Sequence, residues 1–175
     1  MDLFWSRGYE ATSMTDLVAH LGIGRQSLYD TFGDKRALYL AALDHYAKTG
    51  RASVPLPDDV PVRRQLKLIF AALIDRALSE PEHGCCLMVL AAAERAPADE
   101  QVTERFCSVA DQLERSFVRR LKRAQHDGEI GAHHDPVALA RFLTSQAYGL
   151  QLVGRGVRDR RHLEQIAQTA LSILG

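Results

Sequence analysis

The chain has 175 residues and a mass of 19.5 kDa, enough for one domain, or for a small and a medium one, with a core that needs no disulfide scaffold. Its 22 Lys and Arg balance 22 Asp and Glu, which excludes a protein coated in positive charge for non-specific nucleic-acid or membrane binding but leaves room for a local basic patch. Apolar residues at 46%, with 12 Gly and 6 Pro scattered along the chain, exclude disordered, collagen-like and low-complexity classes.

No apolar run approaches the length of a membrane span. The opening Met1-Asp2-Leu3-Phe4-Trp5 has no basic stretch followed by an apolar one, so it does not read as a secretory signal. Three cysteines, Cys85, Cys86 and Cys107, are an odd number, which suits a reducing cytoplasm better than a stapled secreted fold. The expected location is cytoplasmic.

In chain order, nearly every segment has helical period and none alternates at period two, which predicts an all-α fold. Met14, Leu17, Val18 and Leu21 form one apolar stripe on a short helix. Ser13 is placed to cap its start, with Asp16 three residues on completing a capping box. Gly22 suits the left-handed position that ends it. After Ile23 and Gly24, Arg25-Gln26-Ser27-Leu28-Tyr29 resumes a helical pattern, and a third helix is predicted from about Asp34-Lys35 through Tyr46 towards Gly50. Val54 to Pro61 holds three prolines in eight residues and reads as a linker. The domains are accordingly expected at residues 1–46 and 47–175. Beyond the linker, helical stretches are predicted over 61–80, 85–95, 99–126, 136–153 and 161–174, the second of them apolar nearly all round and so buried.

Residues 13 to 35 carry the functional signal. Two short helices joined by a Gly-containing turn form a helix-turn-helix, which sets the start of its second helix against base edges in the DNA major groove. Arg25 can donate two hydrogen bonds to guanine and Gln26 can pair with adenine. Hydroxyls of Ser27, Tyr29 and Thr31, and Lys35 at the start of the next helix, suit phosphate oxygens.

The run from Gly8-Tyr9 through Thr15, Leu21-Gly22-Ile23-Gly24-Arg25-Gln26-Ser27-Leu28-Tyr29 and Phe32-Gly33-Asp34-Lys35 resembles the DNA-binding domain of tetracycline-repressor (TetR) type regulators, strongly over residues 3 to 46. Gly84-Cys85 before an apolar helix, and Asp135-Pro136 opening the next-to-last helix, are also similar to many members. The resemblance implies an all-α homodimer with a three-helix DNA-binding domain, a C-terminal helical domain for ligand binding and dimerisation, and a fourth helix (Lys35 to Tyr46) that moves when a ligand binds. It places Arg25 and Gln26 at base-facing positions, Ser13, Thr15, Ser27, Tyr29, Thr31 and Lys35 at or beside phosphate-facing ones, and the Gly24 N–H towards DNA. The implied partners are a pseudo-palindromic double-stranded operator, a small-molecule effector and a second copy of the chain, with no membrane and no cofactor. Helix faces suggest Phe70, Leu73, Met88, Phe106 and Tyr148 for the effector pocket. Broad apolar arcs suggest Leu139, Phe142, Leu143, Leu150, Leu163, Ile166, Ala170 and Leu171 for a four-helix dimer interface.

Two departures from the family's pattern stand out. Its first helix starts well upstream of Leu3-Phe4, so the helix here is expected to be cut to two turns, leaving Leu17 and Tyr39 less covered. Asp30 puts an acidic residue beside Tyr29 and Thr31, where it is expected to face solvent, to cap, or to weaken DNA binding. Two other readings stay open: a thiol-, electrophile- or metal-responsive regulator acting through Cys85 and Cys86, and a helical interaction protein that no longer reads DNA. No nucleophile elbow, P-loop, HExxH or dinucleotide glycine pattern points to an enzyme.

Counting charge by region sharpens the opening balance. Residues 1 to 50 hold Arg7, Arg25, Lys35, Arg36 and Lys48 against Asp2, Glu10, Asp16, Asp30, Asp34 and Asp44. The DNA-reading part is therefore not basic, which predicts weak non-specific binding and a modest salt dependence.

Overall fold

The computed structural model describes residues 1–49, 59–80 and 82–174. Among them there is no strand. Nine α-helices follow in order: α1 (Asp2–Arg7), α2 (Met14–Leu21), α3 (Arg25–Phe32), α4 (Lys35–Lys48), α5 (Val62–Ser79), α6 (Leu87–Arg95), α7 (Glu100–His126), α8 (Pro136–Gly156) and α9 (Arg160–Leu171). Short 3₁₀ turns follow α6 (Ala96–Ala98) and α9 (Ser172–Leu174). The linker predicted at Val54–Pro61 falls mostly outside the described residues.

The chain divides into two compact units. One comprises Met1–Ala52 and Leu87–Cys107, the other Ser53–Cys86 and Ser108–Gly175. The segment 87–107 thus groups with the N-terminal helices.

The core of the first unit is aromatic. Phe4 and Tyr9 each lie 4.9 Å from the Tyr39 ring, and Trp5 meets Tyr46 edge to face at 5.0 Å. The sequence left Leu17 and Tyr39 less covered, and the structure corrects this: both are buried, Tyr39 beneath those two rings. Leu3, Phe4 and Trp5 of α1 are all buried. The apolar stripe of α2 is narrower than predicted. Leu17 is buried, Met14 and Val18 are half-buried, and Leu21 is exposed.

The second unit is built where α5, α8 and α9 pack together. Leu66, Ile69, Phe70, Leu73 and Ile74 of α5 interdigitate with Leu139, Leu143, Ala147 and Leu150 of α8 and Leu163 and Ala167 of α9, and Phe117 and Leu121 of α7 join the same cluster. Ala77 marks the closest approach. A Cβ on Gly154 would stand 2.8 Å from its Cβ, and one on Gly84 would stand 2.8 Å from its Cα. The start of α5 lacks a side-chain cap because Pro61 precedes it. Glu129 accepts the Val62 N–H instead, and the buried Arg120 holds Glu129 and the Val60 carbonyl.

Candidate nucleic-acid interface

The helix-turn-helix forms by the local chemistry its residues predict. The Ser13 Oγ accepts the Asp16 N–H at 3.1 Å and the Asp16 carboxylate accepts the Ser13 N–H at 2.9 Å, a complete capping box. The Ser13 hydroxyl, which donates to the same carboxylate, and then the Ser13 N–H hold the Asp16 carboxyl below its ordinary value. Gly22 ends α2 at φ 65° and ψ 22°, the left-handed region a side chain would resist. Gly24 then opens α3 with no side-chain cap and no acidic residue in the first turn. The first-turn N–H groups and their partial positive charge are left for an outside acceptor.

On α3 only Leu28 is buried; Arg25, Gln26, Ser27, Tyr29, Asp30 and Thr31 are exposed. Arg25 leans over the Tyr29 ring at 5.8 Å. The Gln26 amide donates to Asp30 Oδ1 at 2.8 Å, so the acidic residue one turn on holds that amide. Two of the predicted hydroxyls are already engaged. Thr31 donates to the Ser27 carbonyl at 2.8 Å, and the Ser13 hydroxyl bonds the Asp16 carboxylate. Thr15, Ser27 and Gly24 are exposed. The Lys35 ammonium donates to the Tyr9 carbonyl at 3.0 Å and sits 4.2 Å above the Tyr9 ring. It pairs with no carboxylate among the described residues. Leu21 and Ile23 add exposed apolar surface beside the turn.

Sequence reasoning missed the residues that hold the helix-turn-helix, because they lie on α6, on α7 and just before α7. The Glu94 carboxylate accepts the N–H groups of Tyr9 at 2.8 Å and Glu10 at 2.9 Å. Arg95 pairs with Glu10. Arg36 makes a two-pronged ion pair with Asp99, and Arg105 makes another with Asp44 at 2.8 and 3.0 Å. The Arg36 guanidinium holds the Asp99 carboxyl at about 2. The one sequence signal was the Arg-and-Glu end of an otherwise apolar α6, which broke the prediction that this segment is buried all round: Glu94 is exposed.

The residues suggested for an effector divide between the units. Met88 and Phe106 lie in the first, buried and half-buried, while Phe70, Leu73 and Tyr148 lie in the second. Phe70 lines a groove of about 490 Å³ between α5 and α9, rimmed by Arg63, Lys67 and Arg160. Burial raises the Tyr148 phenol above its ordinary range. Of the residues suggested for dimerisation, Leu139, Leu143, Leu150 and Leu163 are buried in the cluster that α8 and α9 form with α5, and Ala170 is buried too. Leu171 lines the α5–α9 groove. Phe142 and Ile166 stay half-buried and, with Gln146, His162, Gln165, Thr169 and Ala170, line a shallow α8–α9 groove of about 340 Å³.

Burial pushes the Cys85 thiol up to about 12, so it carries no nucleophilic thiolate at neutral pH. The Cys86 N–H donates to the buried Gln151 Oε1 at 3.0 Å. No cluster of three His, Cys, Asp or Glu suited to a metal occurs among the described residues, and no helix among them is long and apolar enough to cross a membrane.

Two family profiles match the chain. "Bacterial regulatory proteins, tetR family" covers residues 1–42, and "Tetracyclin repressor-like, C-terminal domain" covers residues 62–170. The HTH-type transcriptional regulator YezE of Bacillus subtilis (strain 168) is 36% identical over 99% of this chain and 91% of its own length. The HTH-type transcriptional repressor ComR of Escherichia coli (strain K12) is 31% identical over 99% of this chain and 84% of its own. Among solved structures, a cysteine mutant of the TetR family regulator CifR complexed with 26-bp operator DNA superposes with a TM-score of 0.83 at 30% identity, covering 99% of this chain and 92% of that one. With an exposed, uncapped recognition helix on a capping-box helix-turn-helix, and family matches across both halves, the chain belongs to the TetR family of bacterial regulatory proteins and is a helix-turn-helix transcriptional regulator.

Proposed function

We propose that the chain is a homodimeric repressor that seats two copies of α3 in successive major grooves of a pseudo-palindromic operator. A small-molecule effector held by its C-terminal helices releases it. The exposed start of α3 carries this reading: Arg25 and Gln26 project beyond a first turn whose N–H groups have no side-chain acceptor. Lys35, Thr15, Tyr29 and the Gly24 N–H supply phosphate contacts that set register, while Arg25 and Gln26 supply base contacts. The likeness to an operator-bound regulator and to a relative named as a repressor supports the same reading.

The dimer forms on the outer α8–α9 face. Phe142, Gln146, Gly149 and Val153 follow one another at helical spacing on α8, with the exposed Leu152 beside them, and Ile166 and Thr169 flank the groove on α9. Two such faces, related by a two-fold axis, make the four-helix contact.

Light scattering of the protein bound to a duplex containing an inverted repeat from upstream of its own gene tests this. Two chains per duplex, and loss of that stoichiometry in Thr169→Arg with the protomer still folded, are the expected results. One chain per duplex with unchanged affinity would refute the dimeric reading. A ligand that stabilises the protein and also leaves operator affinity intact would count against effector release.

A further inference from the structure

We propose that Glu94 is a positioning residue for operator binding: by fixing the turn between α1 and α2 it sets where the Lys35 ammonium stands to grip an operator phosphate. The inference rests on the reading of Lys35 as a phosphate contact. Tyr9 is the link between the two. Its N–H donates to the Glu94 carboxylate at 2.8 Å, its carbonyl accepts the Lys35 Nζ at 3.0 Å, and its ring lies 4.2 Å beneath the same ammonium. One residue therefore joins a carboxylate on α6 to the cation that opens α4.

The turn is braced around that carboxylate as well: the Thr12 N–H donates to the Tyr9 carbonyl at 3.3 Å, Arg95 pairs with Glu10, and the Arg95 guanidinium lies 4.7 Å over the Tyr9 ring. Gly8 is in the left-handed region at φ +83°, and a Cβ there would stand 2.9 Å from Glu94 Oε2. Thr12 donates to the Gly8 carbonyl at 2.6 Å, and the second Glu94 oxygen takes the Glu10 N–H at 2.9 Å. A carboxylate that accepts two successive backbone N–H groups fixes the peptide between them more firmly than a neutral acceptor would. The ammonium that hangs from this peptide has three donors, uses one on Tyr9, and pairs with no carboxylate among the described residues. It keeps its charge and two donors for an anion. A lysine on a flexible four-carbon stem binds phosphate well only where its stem is held, and here it is held through Tyr9.

A double-mutant cycle on the full-length protein tests this. Operator affinity is measured by fluorescence anisotropy at several salt concentrations for wild type, Glu94→Ala, Lys35→Ala and the double variant. Lys35→Ala is expected to lose about tenfold in affinity and to shallow the salt slope by about one unit. Glu94→Ala is expected to lose roughly fivefold with a similar shallowing of slope, the double variant to be no weaker than Lys35→Ala, and Glu94→Gln, which keeps one acceptor, to retain most of the affinity. Losses that simply add, or a Glu94→Ala loss with an unchanged salt slope, would overturn the proposal and leave Glu94 a stabilising contact only. If Glu94→Ala does not fold, Glu94→Ser, whose side chain is too short to reach either N–H, replaces it in the cycle on the same criteria. A Lys35→Ala variant that binds like wild type would overturn the phosphate reading itself, a separate failure.

Discussion

Arg36, one residue into α4, grips Asp99 from 63 residues away, with Nε and Nη2 each 2.8 Å from a carboxylate oxygen. The Asp99 side chain is 4% exposed, so the pair is mostly withdrawn from water on the acidic side. It ties the helix that follows the recognition helix to the segment just before α7. The Val102 N–H also points at Asp99, and Arg95 stands 3.8 Å away, so the carboxylate is held from three directions.

Acid should undo this tie. A carboxyl held at about 2 in the folded chain and near 4 in the unfolded one adds stability that is fully present above about pH 5. That stability, about 2 kcal/mol, is lost as pH falls from about 4 towards 2. Thermal melts across this range are expected to show a steeper acid decline for the wild-type chain than for Asp99→Asn, which lacks the titrating group. Parallel declines would remove Asp99 from the account.

The hydrogen bond from the Gln26 amide to Asp30 implies a cost and a benefit. On the proposed reading the carboxylate repels the phosphates assigned to Tyr29 and Lys35, yet it holds the amide still. Asp30→Asn keeps an acceptor and removes the charge, so operator affinity is expected to rise roughly threefold at low salt and to converge with wild type at high salt. Asp30→Ala frees the amide and is expected to relax base preference at the position Gln26 contacts, measured on duplexes varied at that base pair.

The crowding around Ala77 separates two glycines that look alike in the sequence. A methyl at Gly154 would meet the Ala77 Cβ, whereas one at Gly84 would meet the Ala77 backbone. Both Gly→Ala substitutions are expected to cost about 1–3 kcal/mol of stability. Ala77→Gly should restore much of the loss in Gly154→Ala and none of it in Gly84→Ala. Denaturant titration of the two double variants distinguishes these outcomes.

The thiols should react in an order set by burial. Cys107 is exposed, while Cys85 is buried with its thiol pushed up to about 12. A maleimide at pH 7.5 is expected to label Cys107 first and to leave Cys85 unlabelled until the protein unfolds. Rapid labelling of Cys85 in the folded protein would revive a thiol-switch reading.

The parts of the fold written in local chemistry were legible in the sequence. Ser13 and Asp16 announced the start of α2, Gly22 its end, and Asp34 the start of α4, where its carboxylate accepts the Ala37 N–H. The exposure of Arg25 and Gln26 followed from their place at the start of α3. The contacts of Glu94, Asp99 and Arg105 were not legible, because charged residues on a helix surface carry no mark of a partner 60 to 85 residues away. The apolar arcs of α8 and α9 were legible as covered surface but not for what covers them. A broad stripe says that something covers it, and Leu143 and Leu163 are covered by α5 of the same chain. Ser13 and Thr31 were assigned to phosphates by residue type, while their hydroxyls had nearer partners in their own helices.

Whether the start of α3 reads DNA decides the function of the protein. The direct measurement is operator affinity of the wild-type chain and of Arg25→Ala, by anisotropy on a duplex from upstream of its own gene and on a scrambled duplex. Wild type is expected to prefer the operator, and Arg25→Ala to lose tenfold or more on the operator with little change on the scrambled duplex. Equal binding of both duplexes by wild type, or an operator affinity untouched by Arg25→Ala, would contradict it.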